Sequence, residues 1–65
     1  MEIDEIKRNA IIYLDNRLRD YLKAKEENKP LYIIQYNGDD LHSTICAYKF
    51  AGLLNDDELA PYKIK

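Results

Sequence analysis

Apolar residues recur at three- and four-residue steps through the first third of the chain: Ile3, Ile6, Ala10, Ile11, Leu14, Leu18, Tyr21 and Leu22. Projected at about 100° per residue they form one broad stripe. Glu5, Arg8, Asn9, Asn16, Arg19, Asp20 and Lys23 fall on the other side. The spacing predicts a long amphipathic helix over about residues 3–27. Asp4 with Arg8, and Asp15 with Arg19, are acid-to-base pairs four residues apart, each worth a few tenths of a kcal/mol. Asn28 can take the left-handed conformation that ends a helix, and Pro30 follows where a helix cannot continue. Ile12 projects into the polar side. It is either an ordinary exposed apolar residue or, together with Tyr13, a contact to a second molecule.

The pattern then changes. Leu31-Tyr32-Ile33-Ile34-Gln35-Tyr36 is rich in β-forming residues and lies between Pro30 and Asn37-Gly38, which predicts a short extended segment. A lone strand leaves its backbone groups unpaired. Its partner would be residues 41–47 across Asn37-Gly38-Asp39-Asp40, giving a small α+β fold, or the same segment of another chain. Helix is the preferred reading of residues 41–54, with Asp39 or Asp40 as N-cap. Leu41, Ile45, Ala47, Tyr48, Phe50, Ala51 and Leu54 leave only His42 and Lys49 as a consistently polar strip. A helix apolar nearly all round asks to be covered on every side.

Asn55-Asp56-Asp57-Glu58 fits a capping box, with Leu54 and Leu59 at the staple positions. A short third helix is expected over about residues 56–60. The stretch from Ala51 to Leu59 is similar to the helix–Gly–Leu–acidic–short-helix turn of many unrelated small bacterial and phage proteins, including short oligomerisation segments of the SHOCT type. Pro61 departs from the longer closing helix of such segments, and no function transfers from the likeness. The expected fold is mainly α: long first helix, short extended segment, apolar second helix, short last helix, all in one domain of residues 1–65.

Sixty-five residues bury a limited core, so stability must come from packing, cross-links or association. Cys46 is the single cysteine, which excludes an internal disulfide; one cysteine and the one histidine, His42, cannot supply four ligands to a structural zinc. Packing and self-association remain. Twelve acidic against ten basic residues give no electrostatic case for nucleic acid. No apolar run approaches the ~18 residues of a membrane span. The acidic opening, Met1 to Glu5, has neither the basic nor the apolar region of a signal peptide, which points to the cytoplasm. Valine is absent while Ile, Lys, Asn and Tyr abound, the signature of an AT-rich genome such as that of a low-GC bacterium or its phage. Six tyrosines, each an apolar body with a polar tip, suit half-buried or shared surfaces.

Candidate chemistry is sparse. His42 and Cys46 lie one helical turn apart and could form a thiol–imidazole pair or half of a metal site shared between two chains. The plainer reading is a core thiol beside a histidine at the helix start. Asp39-Asp40 and Asp56-Asp57-Glu58 could bind a cation or a basic partner, but both fall where helices are expected to begin, so capping accounts for them. Asn37-Gly38-Asp39-Asp40 lacks the lysine and second glycine of a phosphate loop. Arg8, Arg17, Arg19, Lys23 and Lys25 are interleaved with acids.

These features point to a small non-enzymatic protein-interaction module, self-associating as a homodimer, or a phage or mobile-element inhibitor or adaptor acting on a larger protein. The expected contact residues are Ile12, Tyr13, Tyr32, Ile34, Tyr36, Leu41, Ile45 and Tyr48. No cofactor, metal or catalytic residue is expected. The alternative is a small nucleic-acid-associated regulator using the basic residues of the first helix.

Overall fold

The structure, a computed structural model described over residues 2–63, is an antiparallel helical hairpin clasped at one end by a short tail. Helix α1 spans Ile3–Glu26, α2 spans Leu31–Phe50, α3 spans Asp56–Leu59, and a 3-10 turn follows at Ala60–Tyr62. The mainly α architecture expected from the sequence is present, with the long first and short last helices where the periodicity and capping signals put them.

Helix α1 carries Asp4 and Glu5 in its first turn and Lys23 and Lys25 in its last, matching the helix dipole at both ends. Asn28 adopts φ 55°, and the amides of Asn28 and Lys29 donate to the carbonyls of Lys25 and Ala24 at 3.2 and 3.0 Å. This is a Schellman ending. Helix α2 ends the same way. Gly52 takes φ 73°, its amide donates to the Lys49 carbonyl, and the Leu53 amide donates to that of Tyr48, both at 3.0 Å.

Residues 31–36 are not extended. They form the first turns of α2, which runs without a break through Asn37-Gly38-Asp39-Asp40. Helix satisfies each backbone group locally, whereas a strand here would need a partner that this hairpin does not offer. The helical register also places Ile34, Leu41, Ile45 and Tyr48 on one side, facing α1. Asp39 and Asp40 are therefore interior to the helix and cap nothing. The polar residues of this stretch find other partners. Asn37 Nδ2 donates to the Ile33 carbonyl at 3.0 Å, Thr44 Oγ1 donates to that of Asp40 at 2.9 Å, and Asp40 accepts from Arg17 of α1 at 3.3 Å. Asp15 does not pair with Arg19; it receives the Tyr62 hydroxyl from the tail at 2.7 Å.

The core draws one fully buried leucine from each helix: Leu14, Leu41 and Leu59. Ala10, Ile45, Leu54 and Tyr62 complete it, with Ile11, Leu18, Tyr48 and Leu53 packed around. The capping box fixes the tail. Glu58 N–H donates to Asn55 Oδ1 at 2.8 Å and Asn55 N–H donates to Glu58 Oε1 at 3.0 Å, while Leu54 and Leu59 are both buried. The molecule measures 39 × 18 × 16 Å, so the short tail clasps only part of a rod.

Candidate interaction surface

Helix α2 presents its core side to α1 and the tail, and its other side to solvent. On that outer side lie Tyr32, Tyr36, Asp39, Ser43, Cys46, Ala47 and Phe50, all exposed. Tyr32 and Phe50 are eighteen positions apart, which at about 3.6 residues per turn is a whole number of turns, so they point the same way. Tyr32 and Tyr36 are each 71% exposed and Phe50 is 96% exposed. Large aromatic residues stand at both ends of the face, with Ser43, Cys46, Ala47 and the charged Asp39 between them. The exposure of Phe50 has no signal in the sequence, because an apolar pattern running nearly all round a helix does not mark which residue is left uncovered.

The expected contact residues divide. Tyr32 and Tyr36 share the outer side of α2. Ile12 and Tyr13 are exposed on α1, and the Arg17 guanidinium lies 5.2 Å from the Tyr13 ring centre. Ile34 and Tyr48 are half-buried against the interior. Leu41 and Ile45, at 0% and 5% exposure, belong to the intramolecular core and present no free surface. A second set of exposed apolar residues, Leu22 and Leu31, lies where the short tail does not reach.

Some of the charged groups are paired within the chain. Arg17 bridges Asp20 at 3.0 Å and Asp40 at 3.3 Å, and its hydrogen bond to Asp40 holds the guanidinium pKa above its ordinary value. Lys49 meets Asp56 at 2.9 Å, which lowers the Asp56 carboxyl below the usual range. Lys25 lies over the Tyr21 ring at 5.4 Å. Burial, reinforced by Asp15, pushes the Tyr62 phenol up to about 12.

His42 and Cys46 are both exposed, so the thiol is not a core group. Cys46 Sγ lies 3.6 Å from His42 Nε2. The pair shares a concavity of about 300 Å³ with Ile45, Lys49 and Lys63. Among the described residues no three His, Cys, Asp or Glu side chains gather closely enough to hold a metal ion within one chain, and no helix is long and apolar enough to cross a membrane. Comparison with known proteins finds no matching family model, curated protein or solved structure.

Proposed function

We propose that this chain is a non-enzymatic protein-interaction module that self-associates through the outer side of α2. The observation that carries the reading is Phe50, an aromatic side chain 96% exposed on the same helical side as Tyr32 and Tyr36. Covering a phenylalanine removes an apolar area from water worth roughly 1.5–3 kcal/mol. Aromatic residues stand at both ends of this side, and apart from Asp39 the residues between them are small, so a second helix can lie close while its own large residues fill the ends. Tyrosine suits such a surface because its hydroxyl stays hydrated in the free chain.

An inhibitor or adaptor role on a larger protein, of phage or mobile-element origin, would use the same surface with a different occupant. The nucleic-acid reading loses support from Arg17, whose charge is matched by Asp20 and Asp40. Sedimentation velocity of the chain from low to high micromolar concentration, in the presence of a chelator, tests the proposal. A dimer that becomes monomeric in the Tyr36→Ser/Phe50→Ser variant supports it. A monomer at every concentration removes it.

A further inference from the structure

We propose that His42 and Cys46 form half of a tetrahedral site for zinc or a similar borderline-soft divalent cation, completed by the same two residues of a second copy. The first argument is distance. Zinc bonds sulfur at about 2.3 Å and imidazole nitrogen at about 2.0–2.1 Å. With those bonds at the tetrahedral angle, sulfur and nitrogen stand about 3.5–3.6 Å apart. Sγ and Nε2 here are 3.6 Å apart, on side chains held one turn apart by a continuous helix. The pair therefore has the bite of one tetrahedral edge, at a separation that also serves a thiol–imidazole hydrogen bond.

The second argument is what surrounds the pair. Two ligands do not complete a zinc site, and among the described residues there is no third nearby. Both side chains are exposed, so the other two can come from outside. Two α2 helices crossing antiparallel, with the two-fold axis level with Thr44, bring His42 of each copy opposite Cys46 of the other. In that register position 39 meets position 49, because both lie five residues from Thr44. Asp39 of each copy is thereby set against Lys49 of the other, whose ammonium also meets Asp56 of its own chain at 2.9 Å. Two thiolates and one divalent cation form a neutral centre, each thiol releasing its proton to solvent as its sulfur coordinates. The ligand set, two cysteines and two histidines, is one that zinc takes in structural sites.

This arrangement goes beyond the aromatic contact proposed above and does not depend on it. The test is titration of the reduced chain with Co²⁺, followed by displacement with Zn²⁺, and sedimentation with Zn²⁺ or with chelator. Tetrahedral cobalt bands with thiolate charge transfer, saturating at one metal per two chains, and a dimer that forms with Zn²⁺ are the expected results. Cys46→Ser and His42→Ala should abolish both, and Asp39→Lys should weaken zinc-dependent association. All three residues are exposed, so the fold, checked by circular dichroism, stays intact. The Tyr36→Ser/Phe50→Ser variant should keep zinc-dependent pairing while losing any chelator-resistant association, which separates the two readings. A weak octahedral cobalt spectrum, a monomer with saturating Zn²⁺, or binding unchanged in Cys46→Ser would overturn the proposal.

Discussion

Tyr62 ties the tail to α1 with a single directed bond. Its ring lies in the core at 8% exposure, and its hydroxyl donates to Asp15 Oδ1 at 2.7 Å. A hydrogen bond to a charged acceptor is worth about 1.5–3 kcal/mol, and Asp15 is largely exposed, so the low end applies. Tyr62→Phe should therefore lower the unfolding free energy by about 1.5 kcal/mol at pH 7, read from urea midpoints. The pH dependence has a definite sign. The folded phenol titrates at about 12 against an ordinary value of 10.0, because burial and the Asp15 carboxylate both oppose its ionisation. A raised folded pKa gives stability that is complete below 10 and is lost as pH rises toward 12. Wild type should weaken over that alkaline window more than Tyr62→Phe does, so the gap between their urea midpoints should shrink. Parallel curves would show that the phenol is not held in this way.

Asp39 separates the helix seen in the structure from the turn that its sequence suggests. As an N-cap it would stabilise a helix start, and Asp39→Ala would cost about 1 kcal/mol. As an exposed position inside α2 it is a weak helix former, and the same substitution should gain about 0.5 kcal/mol. A rise in the thermal midpoint is the outcome expected of the continuous helix. By contrast Asn55 is a true cap, and Asn55→Ala should cost about 1 kcal/mol by releasing the Glu58 amide. The two residues show what the sequence could and could not tell at the scale of elements. The ends of α1 and the whole of α3 were legible because their signals are local: Asn28 before Pro30, and Asn55 three residues ahead of Glu58. The start of α2 was not, because Tyr32, Ile33, Ile34 and Tyr36 favour strand only where a neighbouring strand exists. Packing against α1 overrode their preference, and Arg17 of α1 gave Asp40 the partner that a cap would have given it. The outer aromatic side was half legible: Tyr32 and Tyr36 were identified, but Phe50 depended on where the tail turned at Gly52. Leu41 and Ile45 could not be told from surface residues without knowing which side α1 would cover.

At the scale of the molecule the decisive fact is that one core must hold three helices. Leu14, Leu41 and Leu59 meet with no exposure at all, so removing any one side chain opens a cavity shared by the whole fold. Leu→Ala in such a site costs about 2–5 kcal/mol, against a net stability of roughly 3–5 kcal/mol for a core this small. Leu59→Ala should therefore populate unfolded chain at room temperature, visible as lost helical circular dichroism. Phe50 is the counter-case. At 96% exposure it contributes little to the folded monomer, so Phe50→Ser should leave the stability of dilute protein within about 0.5 kcal/mol. Its effect should appear only where copies meet. Self-association stabilises the folded chain by mass action, so the thermal midpoint of wild type should rise with protein concentration. In Phe50→Ser, measured with chelator present, that rise should disappear while the midpoint at high dilution stays put. A midpoint independent of concentration in wild type would mean that the exposed aromatic face meets no second copy, and that the stability of this hairpin comes from the contacts within one chain.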